Sequence, residues 1–169
     1  MKKIAVIYGS TTDNTKSVAK QIVAKLSSFE TTLIDVANLK AEQLAQYSNL
    51  ILGTSTWGAG DIQDDWDGFL PRLSGVDLSG KVVALFGLGD SGSYPDSFVD
   101  GMGQLFDALK DKGCTLVGSV SPDDYSYSSS NAVVDDVFVG LPLDEDNEAD
   151  RTDDRINAWL AKIEPSFID

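Results

Sequence analysis

Histidine is absent from the 169 residues. Its absence removes the usual general base near neutral pH, the Ser-His-Asp arrangement and the commonest zinc ligand, which argues against hydrolytic catalysis. Cysteine occurs once, at Cys114. One thiol closes no internal disulfide, and beside the apolar run Thr115 to Val117 it reads as a small buried residue of a protein from a reducing compartment, the cytoplasm. Basic residues are scarce: 13 Lys and Arg stand against 27 Asp and Glu, for a formal net charge of -14. That field repels nucleic-acid backbones and anionic membrane surfaces and steers encounter with basic protein surfaces. No apolar run is long enough to cross a membrane. The opening MKKIAVIYGST flows from its short apolar run into a turn without a cleavage-type site, so it reads as a first strand.

What the chain does have is a hydroxyl-rich turn near its start. The β-favouring run Ile4 to Tyr8 stops at Gly9, and Ser10, Thr11, Thr12, Asp13, Asn14 and Thr15 follow. Beyond Thr15, the residues Val18, Ile22 and Leu26 recur at spacings of four, the mark of a helix. Strand, turn and helix in this order present hydroxyls, backbone N–H groups and the positive end of a helix dipole to an anion such as phosphate. The turn holds no lysine or arginine and matches neither GxxxxGK[ST] nor GxGxxG. Neutral donors alone would hold the anion.

Later segments repeat the alternation. Strands are predicted over Thr31 to Val36, Asn49 to Thr54 and Lys81 to Gly87, with helices over Ala41 to Gln46, about Asp64 to Leu73, and along the stripe Phe98, Met102, Leu105, Phe106 and Leu109. Thr115 to Val120 and Val137 to Leu143 read as two pieces of a last strand, and Asp153 to Ile163 as a final amphipathic helix. Between those two pieces, residues 121–136 are polar and serine-rich and read as an insertion outside the core, loop or short hairpin. The pattern predicts one α/β domain over residues 1–169: a doubly wound parallel sheet with helices on both faces and its last strand interrupted. Ligands of such sheets bind beyond the carboxyl ends of the strands, where three glycine-rich turns fall: 10–15, 55–61 and 88–95.

These turns together resemble the long-chain branch of the flavodoxin family. The matching stretches are STTDNT, TSTWGAGD, GLGD with Tyr94 after it, and LDEDNEADRTDDRINAW at the C-terminal end. The resemblance spans the chain and implies a five-stranded sheet in order 2-1-3-4-5 that binds FMN; flavodoxin is a standard example of FMN at that switch point. It also implies a cofactor site of Ser10 to Thr15, Ser55, Thr56, Trp57, Gly58, Ala59, Gly60, Leu88, Gly89, Asp90, Tyr94 and Asp146. Trp57 and Tyr94 would offer flat faces to the ring, each stack adding roughly 0.5 to 1.5 kcal/mol beyond buried area. The peptide after Trp57 would turn over on one-electron reduction, a rearrangement that Gly58 permits because it has no β-carbon.

One departure stands out: the family's phosphate turn usually has glycine where this chain has Asp13. A carboxylate ~5 Å from a phosphate costs about 3 kcal/mol at an effective dielectric of 20, so Asp13 is expected to face water. Asp61, Asp64, Asp65, Asp67, Asp90, Asp96 and Asp100 lie in or just after the flavin-facing turns. One such charge 8 to 10 Å away opposes a reduced, anionic flavin by roughly 1 to 2 kcal/mol. The resemblance therefore implies a low-potential one-electron carrier cycling between semiquinone and hydroquinone, with no substrate of its own. Its partners would be redox proteins with basic docking faces, such as ferredoxin/flavodoxin-NADP reductase, and it would act as a monomer. The alternative is a binding module that has lost FMN, with Asp13 as the symptom.

Overall fold

The computed structural model describes all 169 residues. Strands β1 (Lys3–Gly9), β2 (Glu30–Asp35), β3 (Asn49–Thr54) and β4 (Val82–Leu88) run parallel in the order β2-β1-β3-β4. The far edge of β4 is shared by two short parallel strands. β5 (Thr115–Val117) pairs with Val82 to Ala84, and β6 (Leu141–Leu143) pairs with Phe86 to Leu88. They are the two halves of one fifth strand, so the predicted order 2-1-3-4-5 holds with the last position split.

Side chains alternate across the sheet as a period of two requires. Ala5, Ile7, Leu50, Leu52, Val83 and Leu85 face one core. Ile4, Val6, Ile51, Ala84 and Phe86 face the other. The first core is covered by α2 (Asp64–Phe69) and α3 (Asp100–Leu109), the second by α1 (Asn14–Lys25) and α4 (Thr152–Ile163). Each of β1, β3 and β4 is therefore apolar almost throughout, because both faces are covered.

Local chemistry moves several predicted boundaries. Ala41–Gln46 is a 3-10 helix. The segment from Asp64 is α-helical to Phe69 and then tightens to 3-10 over Leu70–Leu73, where Pro71 offers no N–H to continue the α pattern. Phe98 is buried but precedes its helix, since Val99 is left-handed (φ 49°) and α3 begins at Asp100. Cys114 is half-buried against the first core and its thiol donates to the Leu109 carbonyl.

The interrupted strand shows the largest differences. The predicted runs 115–120 and 137–143 shorten because Gly118 (φ +89°) turns the chain away, and Val137–Phe138 pairs back antiparallel on Val133–Val134. The insertion therefore spans 118–140. It is also part of the core, against the expectation for 121–136. Tyr125 and Tyr127 pack on Phe98 and on the fully buried Phe138, with ring centroids 5.2 to 6.1 Å apart, and Ala132 is fully buried. Aromatics spaced among serines show neither helical nor strand period, which hides their burial in the sequence. Phe138→Ala is expected to lower the unfolding free energy by about 3 to 5 kcal/mol in urea denaturation, the cost of emptying a buried aromatic site. A loss below about 1 kcal/mol would contradict a core role.

Candidate functional site

Sheet register brings the turns together. Gly9 lies opposite Thr54, Thr54 opposite Gly87, and Leu88 opposite Leu143. The chain thus leaves β1, β3, β4 and β6 at one level, and the four following loops share one edge of the sheet. They enclose a cleft of about 390 Å³. Thr12 and Asn14 line it from the first turn, Ser55, Thr56, Trp57 and Gly58 from the second, and Leu88, Gly89, Asp90 and Tyr94 from the third. Glu145 and Asp146 close it from the loop after β6, and no lysine or arginine lines it.

The first turn rests on a buried prop. Gly9 sits so close to Gln63 and Trp66 that a β-carbon there would come within 2.2 Å of Gln63 Oε1. The Gln63 side chain caps α2 by accepting from the Asp65 and Trp66 N–H groups, and its amide donates to Asp65 and to Thr11 Oγ1 (3.3 Å). Trp66 Nε1 donates to the Gly53 carbonyl (2.8 Å), which binds the prop to β3. Above it, Asp13 adopts a left-handed conformation (φ 69°) with its side chain exposed and no capping bond. Positive φ favours glycine, and aspartate is among the few other residues that tolerate it. Thr15 is buried, and its Oγ1 finds no hydrogen-bond partner within the chain.

The second turn is a small hairpin, Thr56–Trp57 against Asp61–Ile62, not the plain loop read from the sequence. Gly58 and Gly60 hold positive φ (52° and 108°) at its tip. Trp57 (39% exposed) and Tyr94 (49%) leave much of their ring surface open, while every other tryptophan and tyrosine is buried or half-buried.

The third turn is organised by carboxylates. Asp90 accepts from the Gly92 and Ser93 N–H groups and from Asn147 Nδ2 (2.8 Å), and these bonds, led by Ser93, hold its carboxyl below the ordinary range. Asp144, missed by the sequence reading, is fully buried and accepts from Ser91 N–H (3.0 Å), Ser91 Oγ, Asn147 N–H and Asn147 Nδ2. Asp146 lies within the same cluster, and burial, then Asp90 and Asp144, push its carboxyl up.

Of the predicted residues, Thr12, Asn14, Ser55, Thr56, Trp57, Gly58, Leu88, Gly89, Asp90, Tyr94 and Asp146 line the cleft. Ser10, Thr11, Asp13, Thr15, Ala59 and Gly60 belong to the same turns but lie behind or beside the lining. Glu145 was not expected; only its place beside Asp146 could have suggested it. Asp100, read as one of the acids facing the ligand, is buried at the start of α3.

Fold and cleft define a doubly wound α/β domain with a cleft at the carboxyl ends of the strands, beside the switch point between β1 and β3, where ligands of such sheets bind. The flavodoxin family model matches residues 6–159, and the chain belongs to that family. Flavodoxin of Nostoc sp. is 42% identical over 166 residues, covering 98% of each chain. Flavodoxin 1 of Azotobacter vinelandii is 39% identical over 172 residues and 99% of each. The structure of Fusobacterium nucleatum flavodoxin bound to flavin mononucleotide superposes with a TM-score of 0.94 at 33% identity, over 99% of this chain and 100% of that one.

A depressed carboxyl contributes stability that is present above its unfolded value, about pH 4, and is lost as pH falls through the lower folded value. Asp90→Asn should therefore be less stable than the wild type at pH 7, with the gap narrowing below about pH 4 in urea denaturation. A gap that widens on acidification would contradict the assignment.

Proposed function

We propose that the chain is a single-domain electron carrier, residues 1–169, that binds FMN in this cleft. The observation that carries the reading is a cation-free hydroxyl turn whose Thr12 and Asn14 line the same cleft as two open aromatic rings, with the unpartnered Thr15 hydroxyl buried in the same turn. A phosphate fits the first feature and a flat tricyclic ring the second. When bound, FMN supplies the one-electron redox chemistry.

The protein's part is to hold and tune. The N–H groups and hydroxyls of Ser10 to Thr15 take the phosphate at the positive end of α1. Trp57 and Tyr94 give the ring apolar faces and limit water at it. Gly58, Ala59 and Gly60 would bring backbone polar groups to the ring, and Leu88, Gly89 and Asp90 would hold it from the third turn. Asp90, Glu145 and Asp146 add negative charge without a neutralising cation in the lining, which would oppose further negative charge on a bound flavin and lower its potential. With no histidine in the chain, and a cleft built to hold a cofactor, the protein is read as a carrier and not an enzyme with a substrate of its own.

Its partners are then redox proteins with basic faces, ferredoxin/flavodoxin-NADP reductase among them, met by a monomer in the cytoplasm. The same charge gives no basis for nucleic acid as a partner, and no helix is long and apolar enough to cross a membrane. The alternative of a module without flavin took Asp13 as its symptom, but that side chain is exposed. Solvent leaves its cost to a nearby phosphate well under about 1 kcal/mol, so Asp13→Gly is expected to change the FMN dissociation constant less than about tenfold. A larger gain in affinity would show the carboxylate pressing on the phosphate.

Reductive titration of the purified, yellow protein tests the function itself. Two separate one-electron steps are expected, with electron transfer to a basic reductase slowing as salt is raised. A colourless protein that takes up no added FMN would overturn the reading.

A further inference from the structure

The inserted segment contributes nothing to the cleft lining, yet it grips the stretch that leads from Tyr94 into α3. Ser128 and Ser129 N–H both donate to the Pro95 carbonyl (2.8 and 3.0 Å), Phe98 N–H donates to the Ser129 carbonyl (3.3 Å), and Ser130 Oγ donates to the Phe98 carbonyl. The grip ends on Asp100, whose Oδ1 accepts from the Asn131 backbone N–H (2.7 Å) and whose Oδ2 accepts from Asn131 Nδ2 (3.2 Å).

Asp100 is also where α3 meets the tryptophan hairpin. A β-carbon built on Gly60 would lie 2.7 Å from Asp100 Oδ2 and 3.3 Å from its Cβ, so the bare α-carbon of Gly60 rests on this side chain. Two neighbours complete the support: Gly101 N–H donates to Thr56 Oγ1 (3.0 Å) and Gln104 Nε2 donates to the Gly60 carbonyl (2.7 Å). A carboxylate only 5% exposed is costly to bury unless its oxygens are satisfied, and Asn131 satisfies both.

We propose that Asp100 is a positioning residue for the flavin ring: anchored by Asn131 of the insertion, its carboxylate seats Gly60 and fixes the Trp57–Gly60 turn in its ring-binding form. The proposal rests on the FMN reading above. It gives the insertion a task at the site it never touches, and it separates Asp100 from the rim carboxylates, which act through their charge. The seat acts through shape and hydrogen bonds, so an amide in its place keeps it. The Asn131 amide can turn over to present its oxygen to the new N–H group.

The test titrates the full chain, freed of flavin, with FMN, riboflavin and inorganic phosphate. Asp100→Ala should weaken FMN and riboflavin by the same factor, about fivefold or more, because the turn that loses its preorganisation meets only the ring. Phosphate affinity should stay within about twofold, and Asp100→Asn should stay within about twofold of the wild type for all three. The proposal is overturned if riboflavin binds Asp100→Ala as tightly as wild type, if phosphate is lost in equal measure, or if the amide variant is as weak as the alanine one. Should Asp100→Ala not fold, Asn131→Ala, which keeps the backbone bond, should still weaken riboflavin at least about twofold with phosphate unchanged; unchanged riboflavin affinity overturns the proposal. A wild type that binds neither flavin refutes the FMN reading itself, a result distinct from any of these.

Discussion

An anion held in a cleft whose lining has no lysine or arginine has to be held by dipoles. Much of this molecule follows from that constraint. The turn after β1 must aim N–H groups and hydroxyls inward, which forces a left-handed residue at Asp13 and a tight floor at Gly9. The floor needs support, and Gln63 and Trp66 provide it from the start of α2, with Trp66 also bonded to β3, so the turns after β1 and β3 share one scaffold. Water-excluding walls then matter, because hydrogen bonds and dipoles act more strongly in a low dielectric. The second half of the sheet's fifth position, β6, serves the same end by delivering a fourth loop to the cleft at the level of Leu88.

Acidic groups around the cleft fall into two kinds that the sequence did not separate. Asp90, Asp144 and Asp146 form a cluster in which Asn147 spans the first two, so that like charges are held close by an amide and by backbone donors. Asp100 is instead inside the fold, its oxygens consumed by Asn131. The first kind shapes the field at the cleft, and the second shapes the backbone. Asp90 and Asp100 both lie in or just after the glycine-rich turn that follows β4, and the burial of Asp100 tells these two apart.

The legible part of the fold was the part with a period. Strands over Asn49 to Thr54 and near Val82 to Leu88 are unbroken apolar runs, the helix of Val18 and Ile22 has its four-residue stripe, and the turns carry family motifs, so topology and most of the cleft could be read directly. The insertion could not. Tyr125, Tyr127 and Phe138 reach the core from a chain that follows hydrogen bonds to residues 95–100, contacts far apart in sequence that no local pattern encodes. The same holds for Gln63, whose polar side chain in a buried cap looks like any surface glutamine until the turn above it is in place.

A crystal structure of the protein with FMN addresses the central claim most directly. The account predicts the phosphate among the N–H groups and hydroxyls of residues 10–15, Thr15 Oγ1 among its donors, no lysine or arginine side chain within hydrogen-bond distance, and the ring between Trp57 and Tyr94. A phosphate gripped by a basic side chain drawn into the turn would contradict it. So would flavin bound in another cavity, such as the one between α4 and the start of the insertion that Arg155 and Lys162 line.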